Sequence, residues 1–263
     1  MLITLPSPRT AVLAVGLVLA ACSTAPSGES PTSVTPSTTI QGAEDPLEPV
    51  NRVVFDANDF MDRLLLKPIA ELYRVTVPPG LRDRLVAILS NMGEPVIFAN
   101  NLLQGRANEA STTFARFIIN TTVGLGGLYD VASEWQLPEQ QGDFGQTLHV
   151  WGVGSGPYLV LPLFGPSTAR DAVGLAADSL TLPWPYVADA AGGAYARDTF
   201  SLGSMGATAV VQREAAIDPL ESLQAGSLDM YAQMRSMYLQ YRNKTLGIAP
   251  PSPAFEDEQV STR

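Results

Sequence analysis

Leu81-Arg82-Asp83-Arg84-Leu85-Val86-Ala87-Ile88-Leu89-Ser90-Asn91-Met92-Gly93-Glu94-Pro95-Val96-Ile97-Phe98-Ala99-Asn100-Asn101-Leu102-Leu103 is the stretch on which the fold turns. Leu81, Leu85, Ile88, Leu89 and Met92 recur at helical spacing, and Val96, Ala99, Leu102 and Leu103 resume the stripe after Gly93-Glu94-Pro95. A glycine two residues before a proline weakens a helix and removes one of its hydrogen bonds, so the pattern predicts a helix pair bent at that corner. Downstream, Asn108 to about Thr122 sets Ala110, Phe114, Phe117 and Ile118 on one face. It leads into Gly124-Leu125-Gly126-Gly127, a glycine density that marks a turn or a close backbone approach. Upstream, Asp45-Pro46-Leu47-Glu48-Pro49 crowds acids and prolines at a helix start. Val53, Ala57, Phe60, Met61, Leu64 and Leu65 follow with helical spacing until Pro68, which should end or kink that helix.

From Leu148 to Pro166 the character changes. Val, Trp, Tyr and Leu are interrupted by Gly152, Gly154, Gly156, Pro157, Pro162 and Gly165, so neither helix nor strand can run far. Irregular structure with at most one short hairpin is expected there. A helix from Thr168 to about Leu180, a Pro-Trp-Pro turn at Pro183 to Pro185 and two further helical patterns complete the chain. The last pattern, Leu223 to about Thr245, places Leu228, Tyr231, Met234, Tyr238 and Leu239 along one face. The fold class is mainly α, as a single helical domain over residues 45–248 with an irregular Gly/Pro-rich middle segment.

The two ends read differently. Ala11 to Ala20 is an apolar run after the weakly basic start with Arg9, which suits a signal-peptide core and falls short of the about 20 apolar residues a membrane span needs. The run ends in Leu19-Ala20-Ala21-Cys22, which resembles the lipobox of bacterial lipoproteins. Cys22 is the only cysteine, so no intramolecular disulfide can form and the thiol reads as an acylation site following a signal peptide over residues 1–21. Two or more acyl chains anchor a protein stably where one does not. Residues 22–44 are dominated by Ser, Thr, Pro and Gly, the composition of a disordered tether, and residues 249–263 read as a disordered acidic tail. With 26 acidic and 16 basic residues the formal charge is −10, which removes the electrostatic footprint of a nucleic-acid binder.

Catalytic chemistry finds little support. The chain has one histidine, His149, and one cysteine, with no tight cluster at metal-ligand spacing. Gly152-Val153-Gly154-Ser155-Gly156 is superficially like a nucleophile loop, yet Val153 stands where G-x-S-x-G requires glycine. The same glycines lack the Lys-Ser/Thr of a phosphate-cradling loop. Carboxylates such as Asp45, Glu48, Asp83 and Asp218 fall on helix faces or starts, where acids favour the helix dipole. No cofactor and no metal are expected.

Several ordered blocks resemble the VacJ-like, or MlaA, family of outer-membrane lipoproteins over about residues 45 to 245. They are Asp45-Pro46-Leu47-Glu48 with Asn51-Arg52 and Phe55; Lys67-Pro68; Gln104-Gly105; Arg116-Phe117-Ile118-Ile119-Asn120-Thr121; Gly124-Leu125-Gly126-Gly127 with Asp130; and Phe144-Gly145-Gln146-Thr147-Leu148 through Trp151 to Tyr158. Met230 stands where the family ending is expected to carry proline, and the Ala/Gly-rich stretch 186–206 matches poorly. The resemblance implies a ring-shaped helical domain in the periplasmic leaflet of the outer membrane, lipid-anchored through Cys22. Phospholipid strayed into the outer leaflet would pass through an amphipathic pore to a periplasmic carrier protein, with no bond made or broken, and a trimeric porin would be a second partner. Ser23, unlike the aspartate that resembles an inner-membrane retention signal, agrees with the outer membrane. Asn120, Thr121, Gly126, Gly127, Tyr129 and Asp130 fall where the family has a flexible loop beside the pore, and are the expected lining. Phe55, Phe60, Leu64 and Leu65 are the expected membrane contacts. The competing readings are a structural envelope lipoprotein, or a surface virulence or spreading factor, that does not transport, and a lipoprotein lipase based on His149.

Overall fold

A computed structural model describes residues 45–248, which leaves the signal segment, Cys22, the tether and the acidic tail outside the described residues. The first helical run is α1 (Glu48–Met61), a π-helical turn (Asp62–Leu66) and α2 (Lys67–Thr76). The break expected at Pro68 takes the form of this π turn, and the chain stays helical through it. Proline removes the bond its nitrogen would donate four residues back, and the widened turn accommodates that loss.

One expectation is overturned at Gly93-Glu94-Pro95. There is no corner, and Pro79–Leu103 is a single 25-residue helix, α3, with Pro95 inside it. What holds the turn is tertiary: Glu94 is fully buried and accepts from Arg116 Nε of the antiparallel neighbour α4 (Ala107–Thr122) at 3.0 Å. That bond ties the turn at Pro95 to α4, and the helix keeps its course although proline forfeits one backbone hydrogen bond.

After α4 come the short helix α5 (Val131–Glu134), capped by Asp130, and α6 (Phe144–Val150), capped by Asp143. The Gly/Pro-rich middle then forms the hairpin β1 (Tyr158–Leu161) and β2 (Gly165–Thr168), antiparallel with Tyr158 opposite Thr168. Two strands alone are marginal in water. Here the outer edge of β1 is covered by α1: Asn51 Nδ2 donates to Tyr158 O at 3.0 Å and Asn51 Oδ1 accepts from Val160 N at 2.9 Å. Two turns further along α1, Asn58 repeats the pattern with Leu161 O and Leu163 N, both at 2.9 Å. These side chains stand in for a third strand.

The helix expected from Thr168 is α7 (Ala169–Thr181), which Thr168 caps, its hydroxyl accepting from Asp171 N. The remainder holds three helices where two patterns were read. They are α8 (Trp184–Ala215), broken by non-helical Gly192 and Gly193; α9 (Ile217–Gly226); and α10 (Met230–Thr245). The expected helix from Leu223 is divided because Ser227 is extended and Asp229 caps a fresh start, with Met230 at the first position where proline is favoured.

Contacts among the elements close on themselves. The path α1, β1, β2, α7, α6, α3, α8, α2 and the π turn returns to α1. The burial pattern fits an arrangement without a central apolar core. Among the described residues nine buried side chains are apolar and fifteen are polar or charged, while 36 large apolar side chains are exposed. The apolar cluster of Tyr158, Val160 and Tyr231, with Phe55 and Tyr238 packed on it, sits where α1, the hairpin and α10 meet.

Candidate functional site

The glycine-rich loop between α4 and α5 is tied to two helices. Arg116 is 1% exposed and acts as a hub: Nε donates to Glu94, Nη1 donates to Leu137 O at 2.6 Å and Ser133 Oγ at 3.1 Å, and Nη2 donates to Asp130 at 3.2 Å. Asn120 Nδ2 adds a 2.9 Å bond to Asp130, and Asn120 Oδ1 accepts from Ala132 N at 2.9 Å. Burial raises the Asp130 pKa, but the bonds from Ser133, Asn120 and Arg116 outweigh it and hold the carboxyl below its ordinary value. Glu94 goes the other way, because its burial is deeper and wins over the Arg116 pairing. Gly127 must be glycine twice over: its φ is +92°, and a Cβ there would stand 2.7 Å from Asn91 Cβ. Of the six expected lining residues, Thr121, Gly126 and Tyr129 are exposed, Asn120 and Gly127 are buried, and Asp130 is half-buried. Asn120 and Thr121 close α4, Gly126, Gly127 and Tyr129 lie in the loop that follows, and Asp130 caps α5; Asn120, Gly127 and Asp130 hold the backbone, while Thr121, Gly126 and Tyr129 are exposed. Arg84 lies 4.0 Å over the Tyr129 ring.

A second polar network joins α3, α6, α7 and α10. Arg242 donates to Asp143 Oδ2 at 2.8 Å and to Asp171 Oδ1 at 2.7 Å, and Tyr238 Oη donates to Asp171 Oδ2 at 2.8 Å. Burial pushes the Asp171 carboxyl up, but the bonds from Arg242 and Tyr238 bring it below the usual range. Asn100, Gln104, Thr147 and Asp178 continue the chain of bonds, with Asn100 Nδ2 donating to Asp178 at 2.8 Å and Thr147 Oγ1 to Asn100 Oδ1 at 2.9 Å. None of these roles was read from the sequence. Gln104 and Thr147 fall in the quoted blocks, but a polar residue at a helical position gives no sign of which face is inside once the apolar stripe faces out. Asn58 carried no signal except its seven-residue spacing from Asn51.

His149 lies 3.4 Å through Nδ1 from Arg170 Nη1. Burial first and that cation second lower its pKa, so the surroundings oppose the imidazolium a general base must become.

The membrane-contact expectations divide. Phe60, Leu64 and Leu65 are 63%, 63% and 53% exposed and share the end of α1 with the π turn. Phe55 turns inward, meeting Tyr231 edge to face at 5.8 Å between ring centres. No described helix is long and apolar enough to cross a membrane.

A closed helical arrangement with hydrogen-bonded polar groups inside and large apolar side chains outside defines a protein built to lie against lipid. The chain belongs to the MlaA lipoprotein family, whose model matches residues 43–245. It is 33% identical over 209 residues to the intermembrane phospholipid transport system lipoprotein MlaA of Escherichia coli, covering 76% of this chain and 77% of that one. The protein of the same name from Haemophilus influenzae is 36% identical over 202 residues, covering 74% and 76%. A solved structure described as the structural basis for maintenance of bacterial outer membrane lipid asymmetry superposes with a TM-score of 0.66 at 33% identity, over 78% of this chain and all of that one.

Proposed function

We propose that the protein is the outer-membrane lipoprotein of an intermembrane phospholipid transport system. It removes mislocalised phospholipid from the outer leaflet through an amphipathic pore, hands it to a periplasmic carrier and so maintains lipid asymmetry. The observation that carries this reading is the inverted burial of a chain of this family: among the described residues polar side chains fill the interior while 36 large apolar ones remain outside. A headgroup needs a polar path, and acyl chains need an apolar wall. In this reading Cys22 carries the acyl anchor, the tether reaches from it to Asp45, and Phe60, Leu64 and Leu65 sit among acyl chains of the periplasmic leaflet. Thr121 at the end of α4, with Gly126 and Tyr129 in the loop after it, borders the lipid path. Transport proceeds without covalent chemistry, and a trimeric porin is the second protein partner.

The test is surface lipid A palmitoylation, which reports phospholipid in the outer leaflet, in a strain lacking the protein and carrying either wild type or Cys22→Ala. Deletion should raise palmitoylation, wild type should restore it, and Cys22→Ala should restore it poorly. An unchanged signal on deletion would return the protein to a structural role in the envelope.

A further inference from the structure

Between the first helical run and the segment from Ile217 to Met230 lies a groove occupied by two adjoining cavities of about 230 and about 320 Å³, which share Arg63 and Gln224 in their walls. Long side chains span it: Lys67 Nζ reaches Glu221 at 3.1 Å, and Arg213 Nε reaches Asp62 at 2.6 Å. The π turn Asp62–Leu66 forms one wall, and such turns recur at functional sites because they widen a helix and re-aim its side chains.

The two cavities differ in chemistry. The first is walled by Arg63, Lys67 and Arg213 together with their partners Asp62 and Glu221, and by Leu220 and Gln224. Arg213 is 9% exposed, gives Nε and Nη2 to Asp62, and keeps Nη1 buried with no acceptor. A buried guanidinium with an unused donor, flanked by two more cations, is the donor set that phosphate takes up. The second cavity is lined by Asp56 and Asp59 together with Phe55 and Met230, and a pair of carboxylates beside apolar side chains suits a primary ammonium. The Arg63–Asp59 pair that links the two is 67% and 33% exposed, weak enough to exchange partners for a ligand. Phe60, Leu64 and Leu65 stand exposed on the same helical run, where acyl chains would lie. Around the whole groove four acids, Asp56, Asp59, Asp62 and Glu221, face three cations, Arg63, Lys67 and Arg213. A purely anionic headgroup is repelled by that surplus, whereas one carrying both signs matches it.

We propose that this groove is a headgroup site for zwitterionic, amine-bearing phospholipid, with phosphate beside Arg63, Lys67 and Arg213 and ammonium beside Asp56 and Asp59. The proposal rests on the phospholipid-transport reading and adds a preference to it.

The experiment is native mass spectrometry of the full chain in detergent, titrated with short-chain phosphatidylethanolamine or phosphatidylglycerol and competed with glycerophosphoethanolamine or inorganic phosphate. Wild type should take phosphatidylethanolamine about tenfold more strongly than phosphatidylglycerol. The double variant Asp56→Asn/Asp59→Asn, at exposed or half-buried sites, should lose that preference while still binding both lipids. Arg63→Gln/Lys67→Gln should weaken both lipids together. Glycerophosphoethanolamine should compete, and inorganic phosphate should not. Equal uptake of both lipids by wild type, or an unaltered ratio in the Asp variant, overturns the headgroup assignment while leaving lipid binding in place. Competition by inorganic phosphate as strong as by glycerophosphoethanolamine makes the groove a simple anion site and also overturns it. Failure to bind either lipid sinks the transport reading itself.

Discussion

Arg116 and Asp171 are the side chains whose loss should be felt most. Arg116 joins Glu94 of α3 to Asp130, Ser133 and Leu137, so Arg116→Ala strands a fully buried carboxylate and frees the loop together. Breaking such a pair costs about 3–5 kcal/mol, to be read from chemical denaturation against wild type. Asp171→Asn tests the second network by its pH dependence. Because the folded-state pKa of Asp171 is depressed, its contribution is fully present above the unfolded aspartate value of about 3.9 and is lost as pH falls through the lower folded value. The melting-temperature penalty of Asp171→Asn should therefore be largest near neutrality and shrink below about pH 4, with a penalty constant across that range counting against the assignment. Glu94 has the opposite sign: its folded pKa is raised, so protonation as pH falls adds stability instead of removing it.

Where elements meet, α6 and α7 approach closely through Gly145 and Gly174. A Cβ on Gly174 would stand 2.4 Å from Gly145 N, so Gly174→Ala should push the two helices apart, and a loss of about 1–3 kcal/mol without loss of helicity by circular dichroism is expected. Gly145 and Gly174 also show how far the sequence could be read at this scale. The element inventory was largely legible: α1, α4, α7 and the glycine turn follow from apolar spacing, caps and breakers, because these signals are local. Pro95 was misread because the Glu94–Arg116 pair that overrides it joins residues 22 apart, which no local pattern encodes. The division between α9 and α10 was missed because the apolar spacing runs on past the Asp229 cap. At the loop, residue blocks pointed to the glycine-rich segment, but not to which side chains hold it and which are displayed, since that depends on where Glu94 and Asn91 lie in space.

For the molecule as a whole the inverted burial sets the behaviour. Leu64→Glu/Leu65→Glu should reduce co-flotation of the protein with phospholipid vesicles several-fold while leaving its circular dichroism unchanged, since these side chains are 63% and 53% exposed and support little of the interior. Co-flotation equal to wild type would remove this part of the surface from the membrane contact. The sparse apolar interior has a further consequence in calorimetry. Heat capacity rises on unfolding because apolar surface becomes wet, by about 0.45 cal/K/mol per Å², and falls with polar surface by about 0.26. With fifteen polar and nine apolar side chains buried, the two contributions offset each other more than in a water-soluble domain of this length. The increment per residue should fall below the common value of about 12–15 cal/mol/K. Its curve of stability against temperature should accordingly be shallow, so that chilling weakens this protein far less than it weakens one held together by an oily centre.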